Sequence, residues 1–441
     1  MRIYTLLFLG LAHLASGTQA DTALQTAIQA DYPYLGSLYE HLHKNPELSF
    51  HEAKTSERMA TELRNLGFAV TEKVGGYGVV GVLKNGDGPT VMLRTDMDAL
   101  PILEKTGKPY ASTATTIDEH GNTVNVMHAC GHDVNMTVFT GTARRLTAMS
   151  DQWRGTLVMI AQPAEERGAG ARAMLKDGLF ERFPRPDYNL GLHVSASFPV
   201  RTVIHTKGYV MASVDSVDIT VFGVGAHGAY PHRSKDPIVL SAQIINALQT
   251  LVSRELKPID AGVVTVGSIH GGTKHNIIPD KVELQLTVRS YTDEARTKLI
   301  EGIKRIAEGQ ALTMGLPADK LPVVEIKDES TPSTYNNPEL ADRIVNTLRE
   351  KLSKDIQIVP GEPVMGGEDF SQYGRVEPKI PSLFLFIGGV YADKYDAARK
   401  TGKVLPSLHS PFFAPDPQPT ILTGVEVMTT SALELLGKVD K

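Results

Sequence analysis

Helical and extended hydrophobic patterns alternate along most of this chain, and this alternation constrains its fold more than any other feature. Short apolar runs at residues 91–94 and 156–161 predict buried strands, and the residues between them predict a helix over 133–149. This order is typical of an α/β protein whose sheet is covered by helices. Because 441 residues exceed the usual size of one domain, we expect two domains.

The pattern changes between residues 207 and 322, where the order strand, helix, strand, strand, helix is typical of a small α+β layer domain. These elements are predicted at residues 214–222, 238–256, 263–269, 282–288 and 292–314. We therefore predict a discontinuous main domain of residues 21–206 and 323–441, interrupted by an inserted domain of residues 207–322.

Residues 1–20 contain one Arg, an apolar run and small residues at their end, which is typical of a short secretory signal peptide. An N-terminal membrane anchor is the weaker alternative, because about 13 apolar residues fall short of the roughly 20 that span a bilayer. We expect a secreted or periplasmic protein without a membrane-bound part once the signal is removed. The net charge of -5 gives no chain-wide basic field, so nucleic acid is not an expected partner.

The sequence contains a single cysteine, Cys130, so no internal disulfide can form. An unpaired thiol is unusual in an exported protein. Cys130 lies two residues before His132, at the start of a predicted helix. Alone, this pair is more typical of a buried thiol beside a helix-opening histidine than of a metal site.

Further side chains that can bind metals follow predicted strands, and they are Asp96, Asp98, Glu165, Glu166 and His193. Taken singly, the two glutamates suit a solvated first helical turn, and His193 suits a buried core position. Because the carboxyl ends of strands in an open α/β sheet share one crevice, we expect these side chains to converge with Cys130 and His132. Thiolate, imidazole and carboxylate together suit a transition metal.

The adjacent carboxylates of Glu165 and Glu166 indicate two different roles, one in metal binding and one in proton transfer. On an extended or turning backbone, successive side chains point in different directions, so one glutamate can bind a metal while the other faces a water molecule. A metal lowers the pKa of that water, and an unliganded glutamate can take its proton and pass it to a leaving group. The pair therefore predicts metal-assisted hydrolysis.

Motifs along nearly the whole chain after residue 20 resemble the peptidase M20 family of metallohydrolases. Within it they resemble the amidohydrolase branch, which includes hippurate hydrolases, N-acyl-amino-acid amidohydrolases and plant indole-acetyl-amino-acid hydrolases. The motifs are RTDMDALP, HACGHD, QPAEE, GLHV, GAHGAYPH, HNIIPD, LTVRSY, GGEDF and LHSP. The resemblance implies a zinc-peptidase-like catalytic domain with a mixed sheet and an inserted ferredoxin-like α+β domain for dimerisation or as a lid.

The resemblance also implies roles for individual residues. Glu165 corresponds to the general acid/base, and Asp98 to a carboxylate that orients a histidine ligand. The implied metal ligands are Cys130, His132, Glu166, His193 and His409. Because these are too many for one tetrahedral zinc, they agree with the pair of divalent metal ions that the resemblance implies, with Cys130 as a bridge. Zinc suits this donor set, while manganese, cobalt and nickel stay open.

On the inserted domain, the resemblance implies that His227 reaches across a homodimer interface to the oxyanion of the other subunit. Asn276 and Arg289 correspond to residues that bind a substrate carboxylate, and His232 to a position near the substrate. Without the resemblance, Arg289 would be an ordinary charge at a strand end.

The expected activity is hydrolysis of the amide bond of an N-acyl amino acid or related conjugate. A dipeptidase or aminopeptidase on the same scaffold is one alternative, and a non-catalytic protein that binds metal or amino acids is another. Comparing the rates of hydrolysis of an N-acetylated amino acid and the matching free dipeptide distinguishes the expected activity from a dipeptidase or aminopeptidase. Ligand binding without turnover would indicate the non-catalytic protein.

Some positions have no clear role in the sequence alone. Asn135 stands where relatives commonly have a histidine, and His275 where they usually have a small or apolar residue. Asp96 has no assigned role, and helix capping is the only function that the sequence offers for Glu368 and Asp369.

Overall fold

The structure is a computed structural model, and it describes residues 23–438. The signal peptide predicted for residues 1–20 lies outside these residues. Within the described part of the chain, none of the helices combines the length and apolar character needed to cross a bilayer.

The helices begin and end as follows: α1 (Ala23–Lys44), α2 (Ala53–Asn65), α3 (His132–Ala148), α4 (Gly170–Lys176), α5 (Leu179–Arg182), α6 (Pro237–Thr250), α7 (Asp293–Thr313), α8 (Pro338–Lys351), α9 (Ser371–Arg375), α10 (Ala392–Thr401) and α11 (Pro417–Leu435).

The strands are β1 (Ala69–Val74), β2 (Gly78–Asn85), β3 (Thr90–Asp96), β4 (Thr115–Ile117), β5 (Thr123–Asn125), β6 (Trp153–Gln162), β7 (Tyr188–Pro199), β8 (Thr202–His205), β9 (Gly208–Met211), β10 (Ser213–Phe222), β11 (Ala226–His227), β12 (Gly262–Gly271), β13 (Ile277–Ile278), β14 (Lys281–Ser290), β15 (Val323–Ile326), β16 (Thr334–Asn336), β17 (Gln357–Pro360), β18 (Ser382–Val390) and β19 (Gly437–Lys438).

The main domain is built on a mixed sheet in the order β1-β2-β6-β3-β7-β18-β8-β17. Its centre, β6-β3-β7-β18, is parallel, while β2 and β8 run antiparallel to their central neighbours. The central strands are buried along most of their length because helices cover both faces of the sheet. This architecture confirms the predicted α/β class with a mixed sheet.

Helices cover the two faces unequally. Helices α1, α2, α3, α8 and α11 enclose the larger core on one face, and the short α4, α5 and α9 cover the other. Close packing of α3 depends on Gly141, where a Cβ atom would lie 2.5 Å from Val425 Cγ2 and 3.0 Å from Leu35 Cδ1. The helix whose N-terminus carries His132 is thus held between α1 and α11.

The inserted domain has an antiparallel sheet in the order β12-β14-β10-β15, with α6 and α7 packed on one face. Along β10 every second residue is buried against these helices, which explains the alternating sequence pattern. The chain order β10, α6, β12, β14, α7, β15 is that of the ferredoxin-like arrangement.

The predicted boundary between residues 322 and 323 falls one strand too early. Val323–Ile326 forms β15, which pairs with β10 inside the small sheet, so the inserted domain continues beyond it. This edge strand is mostly exposed and lacks the long apolar run that marks a buried strand.

The two segments that connect the domains run side by side. Strand β9 pairs with β16, and the backbones of Val214 and Thr331 exchange two hydrogen bonds of 2.9 Å. The Ala212 N–H donates to the carbonyl oxygen of Gly366 at 2.9 Å, and this bond joins the connecting segments to the main domain. These contacts set the inserted sheet against the carboxyl edge of the large sheet.

Candidate metal centre

The parallel strands bring the predicted ligands to one edge of the large sheet. Asp96 at the end of β3 is in register with Gln162 at the end of β6, and Glu165 and Glu166 follow that strand directly. His193 lies on β7, the other neighbour of β3. The convergence expected for strand ends in an α/β sheet is therefore present.

Cys130 and His132 reach this edge from the turn that opens α3. Gly131, between them, has a φ of 85°, in the left-handed region that favours glycine. A Cβ atom there would lie only 2.4 Å from Val194 Cγ1, one residue beyond His193. A glycine is therefore required for this turn to approach β7 and place both ligands.

All five predicted metal ligands meet in one cluster. The Cys130 Sγ lies 3.5 Å from His193 Nε2, and His409 Nε2 lies 3.4 Å from Glu166 Oε2. Donor atoms fall within 4.8 Å of one another in two overlapping groups that share the cysteine, one completed by His132 and His193 and the other by Glu166 and His409. The geometry thus offers two neighbouring places for a cation.

Two buried atoms of this cluster have no hydrogen-bond partner among the described residues, the Nε2 of His132 and the Oε1 of Glu166. They lie 3.9 Å apart. A buried polar atom without a partner is costly, whereas metal ligation would satisfy both atoms. Thiol, imidazole and carboxylate donors together fit divalent transition metals.

Hydrogen bonds behind the cluster fix the histidine rings. The Nδ1 of His132 contacts the Asp98 backbone oxygen at 2.8 Å and its carboxylate at 3.3 Å, while His193 Nδ1 donates to the Val194 oxygen at 2.7 Å. Both Nε2 atoms are thereby left for the cluster. The Asp98 carboxylate also accepts hydrogen bonds from the Ser49 hydroxyl and the Glu166 N–H.

Glu165 lies beside the ligands, with its Oε2 atom 3.8 Å from His132 Nε2. Ala164, with a φ of 50°, turns the chain between the end of β6 and the glutamate pair. Burial, together with the carboxylates of Glu368, Glu166 and Asp369, raises the pKa of Glu165 well above its usual value. A carboxylate in this position can exchange a proton with a molecule bound at the cluster.

A buried arginine behind Glu165 was not predicted as part of the site. Arg94 Nε donates to Gln162 at 2.9 Å, Nη1 to Asp96 at 2.7 Å, and Nη2 contacts Glu368 at 2.8 Å and Asp369 at 2.9 Å. Its guanidinium is fully enclosed. A charged residue inside an otherwise apolar strand was the available signal, because such a charge needs buried partners.

Glu368 and Asp369 do not cap α9, the helix that follows them. Besides Arg94, Asp369 accepts a hydrogen bond of 2.9 Å from the Ala171 N–H in the first turn of α4. Burial raises the pKa of Glu368 to about 8, which Arg94 partly opposes. Glu368 thus lines the candidate site, and Asp369 lies buried beside it against Arg94.

Asn135 connects two strands at the site. Its Nδ2 donates to Asp96 Oδ1 at 2.9 Å, and its Oδ1 accepts from the Val194 N–H at 3.1 Å. Burial alone would raise the pKa of Asp96, but His132 and Arg94 hold it well below its usual value. The unusual asparagine therefore links an ionised carboxylate to the strand that carries His193.

A cavity of about 540 Å³ lies between the cluster and the inserted domain. Arg289 lines it together with the metal-type ligands Cys130, Glu166, His193 and His409. Of the predicted substrate residues on the inserted domain, the structure brings only Arg289 to this cavity.

The remaining predicted residues of the inserted domain lie elsewhere on the same chain. His227 and Asn276 line a second, open cavity formed by the inserted domain alone, and His232 lines neither cavity. The β11–β13 pair holds His227 in register with Ile277. Within one chain, these side chains therefore do not meet the metal cluster.

Comparison with known proteins places the chain in a family. Residues 92–400 match Peptidase family M20/M25/M40, and the chain therefore belongs to this family. The resemblance inferred from the motifs is thus confirmed.

Relatives of similar sequence cover most of the chain. It is 38% identical over 351 residues to "Thermostable carboxypeptidase 2" of Saccharolobus solfataricus, covering 79% of this chain and 84% of the relative. It is also 38% identical over 330 residues to "Hippurate hydrolase" of Campylobacter jejuni, covering 75% of this chain and 82% of the relative. Among solved structures, the YXEP protein of Bacillus subtilis, described as a dinuclear metal binding peptidase from the M20 family, has a TM-score of 0.72 and 29% identity over 92% of this chain and 100% of that one.

Proposed function

We propose that this protein is a metal-dependent amidohydrolase that cleaves the amide bond of N-acyl amino acids, giving a carboxylic acid and a free amino acid. The observation that carries this proposal is one cavity with Glu165 and the donor cluster on one wall and Arg289 on the other. A similar relative named as a hippurate hydrolase supports the same reaction.

Arg289 is a half-buried cation held only by neutral groups. Its Nη1 donates to the Met365 oxygen at 2.6 Å and its Nε to the Thr287 hydroxyl at 3.3 Å. Among residues 23–438, no carboxylate forms an ion pair with it, and burial lowers the pKa of its guanidinium. A substrate carboxylate would supply the missing anion through a strong charge-assisted hydrogen bond.

Two groups of ligands would each hold one divalent ion. The first is Cys130, His132 and His193, and the second is Cys130, Glu166 and His409. When bound, such ions lower the pKa of water and stabilise negative charge on a carbonyl oxygen. Zinc suits the thiolate and imidazole donors, and manganese, cobalt or nickel can replace it according to supply.

Glu165 is proposed as the general base and then the general acid. Its carboxylate takes a proton from the attacking water and delivers it to the amide nitrogen as the carbon–nitrogen bond breaks. Its Oε2 atom lies 3.8 Å from His132 Nε2, so the carboxylate stands beside the ligands without belonging to either group that shares Cys130. Asp98 keeps His132 in the orientation that leaves Nε2 for the metal.

The positions of His227, Asn276 and His232 support a homodimer as the active form. On its own chain, His227 lies outside the cavity that holds Glu165, so a second subunit would have to supply it to the oxyanion. Asn276 and His232 would reach the substrate by the same route. Mixing the inactive variants Glu165→Gln and His227→Ala should restore activity through mixed dimers, whereas no recovery after subunit exchange would contradict this assembly.

Export to the periplasm or the medium is proposed from residues 1–20. N-terminal sequencing of the mature protein should begin after residue 20. Recovery of an uncleaved chain in the cytoplasmic fraction would contradict export.

Carboxypeptidase activity is a second candidate, because a relative of similar identity is named as a carboxypeptidase. The last residue of a peptide presents the same acyl carbonyl, amide N–H and free carboxylate as an N-acyl amino acid. Arg289 and Glu165 could therefore act on both classes. Rates on N-acetyl amino acids and on matching free dipeptides decide which is preferred.

The test of the function compares hippurate, which is N-benzoylglycine, with its carboxamide, which lacks the anionic end. The wild type should prefer hippurate, and Arg289→Met should lower kcat/KM for hippurate about 10²-fold, as expected for the loss of charged hydrogen bonds, with little change for the carboxamide. Arg305→Met, at an exposed arginine on α7, is the matched control and should behave as wild type. Equal wild-type rates on both compounds would contradict the proposal.

A further inference from the structure

We propose that the amino-acid side chain of the substrate binds in an apolar corner formed by Met211, Val214 and Thr331, so that the protein selects N-acyl derivatives of amino acids with apolar side chains. This inference rests on the proposed function, because it requires Arg289 to hold the substrate carboxylate. The three side chains line the same cavity as Arg289 and the metal cluster.

The corner begins where the guanidinium is anchored. Arg289 Nη1 donates to the Met365 oxygen at 2.6 Å, and Gly366 and Gly367 follow this residue in the chain. Both glycines line the cavity. A carboxylate bound to Arg289 would therefore lie close to this glycine pair.

Methyl groups of the three side chains pack against the two glycines. A Cβ atom at Gly366 would lie 3.1 Å from Met211 Cε, and one at Gly367 would lie 2.5 Å from Val214 Cγ2 and 3.2 Å from Thr331 Cγ2. Because residues 366 and 367 have no side chains, these three methyl groups can pack directly against the backbone there. The corner is therefore walled by two methyl groups and a thioether methyl.

The register of the small sheet places this corner beside the arginine. Val214 on β10 is the direct partner of Arg289 on β14. Residues directly opposite each other in an antiparallel pair project from the same face, with Cβ atoms about 5 Å apart. The neighbouring Asp215 and Val217 are buried toward the other face, which α6 and α7 cover.

This arrangement decides what the corner can accept. The side chain of an amino acid starts one bond away from its carboxylate carbon, so a carboxylate on Arg289 directs it toward the groups around the guanidinium. The Met365 oxygen and the Thr287 hydroxyl already accept hydrogen bonds from the guanidinium, and the corner beside it carries the methyl groups of Met211, Val214 and Thr331. The Glu329 carboxylate, which also lines the cavity, is paired with Arg167 at 3.0 Å. An acidic or basic substrate side chain would lose water without gaining a counter-charge, whereas an apolar one gains about 0.8 kcal/mol per buried CH₂ group.

The first test uses the wild-type protein and four substrates with a common acyl group, the N-acetyl derivatives of alanine, leucine, aspartate and lysine. We expect kcat/KM for the leucine derivative to exceed those for aspartate and lysine by at least about tenfold, within the range that apolar pockets provide. Equal values, or a preference for a charged side chain, would overturn the inference while leaving the proposed function intact. Hydrolysis of none of the four would instead contradict the proposed function.

The second test changes the corner. Val214→Lys should raise kcat/KM for N-acetyl-aspartate relative to N-acetyl-leucine by at least tenfold, because it introduces a counter-charge. Thr220→Lys, on the same face of β10 but outside the cavity, is the matched control and should keep the wild-type ratio. An unchanged ratio in a folded Val214→Lys protein, verified by circular dichroism, would contradict the inference.

A milder variant keeps the test decisive if Val214→Lys does not fold. Val214→Ala enlarges the corner without adding charge, so it should shift preference from N-acetyl-alanine toward the larger N-acetyl-phenylalanine. No change in this ratio would count against the location of the corner.

Discussion

Replacing Arg94 by leucine should destabilise the main domain more than any exposed ion-pair substitution. Arg94 is enclosed, and its guanidinium contacts the carboxylates of Asp96, Glu368 and Asp369 at 2.7 to 2.9 Å. Leucine fills part of the volume but leaves these carboxylates buried without a cation. Removing one partner of a buried ion pair costs about 3–5 kcal/mol, so we expect a loss of about 4 kcal/mol.

The assay is urea unfolding in the presence of a chelator, so that metal affinity does not contribute. The protein has one tryptophan, and Trp153 is fully buried on β6 of the main domain, so its fluorescence reports on the domain that contains Arg94. With an m-value of about 3 kcal/mol/M for a domain of this size, the midpoint should fall by about 1.3 M.

A control in the same domain is Arg182→Leu, which removes an exposed pair with Asp177 whose side chains are 43% and 42% accessible. Such pairs contribute about 0–1 kcal/mol. Arg94→Lys retains the charge but loses the planar set of guanidinium N–H donors. We therefore expect its loss of unfolding free energy to lie between those of Arg94→Leu and Arg182→Leu. A midpoint for Arg94→Leu equal to that of Arg182→Leu would refute the conclusion that the buried arginine holds these carboxylates together.

Further predictions concern pH dependence and metal binding. Burial alone would lower the pKa of His43, but hydrogen bonds to Asp133 and Glu104 raise it to about 9. The charged ring therefore stabilises the fold fully below pH 6.5, and this stabilisation is lost as the pH rises through 9. The difference in the free energy of unfolding between wild type and His43→Gln should consequently shrink between pH 6 and pH 9.5. A difference in the free energy of unfolding, measured by urea unfolding, that stays constant over this pH range would contradict the prediction. Cys130→Ser should reduce the metal bound per chain, measured by mass spectrometry of the protein-bound metal, and an unchanged stoichiometry would exclude thiolate ligation.

Much of the fold follows from local patterns in the sequence. The alternating residues of β10 and the apolar run of β6 mark strands because one or both faces of each strand are buried. By contrast, β15 is an edge strand with little burial, so its assignment depends on pairing with β10 rather than on its own sequence. The error in the predicted boundary follows from this difference.

The candidate site likewise contains some residues that the local sequence identifies and others that only the folded structure brings together. Cys130, His132 and Glu166 lie in short motifs at strand ends and helix starts, so local sequence predicts where they converge. Arg94 and Glu368, in contrast, are separated by 274 residues, and only the folded sheet joins them. Pairing over such distances leaves no local pattern.

The residues predicted on the inserted domain differ in which cavity they reach within one chain. Arg289 reaches the cavity through the register of β14 with β10, whereas His227 on β11 does not. The sequence marks both residues equally, because their motifs carry no information on which cavity each side chain faces.

The proposed reaction depends most directly on Glu165 as the group that moves the proton. The decisive measurement is kcat for hippurate, or for the best N-acetyl amino acid, in Glu165→Gln, together with the metal content of the same preparation. We expect kcat to fall by about 10²- to 10⁴-fold, the contribution of a general acid/base, while the metal bound per chain equals that of the wild type. Wild-type turnover by Glu165→Gln with an unchanged metal content would contradict the role of Glu165 as general acid/base.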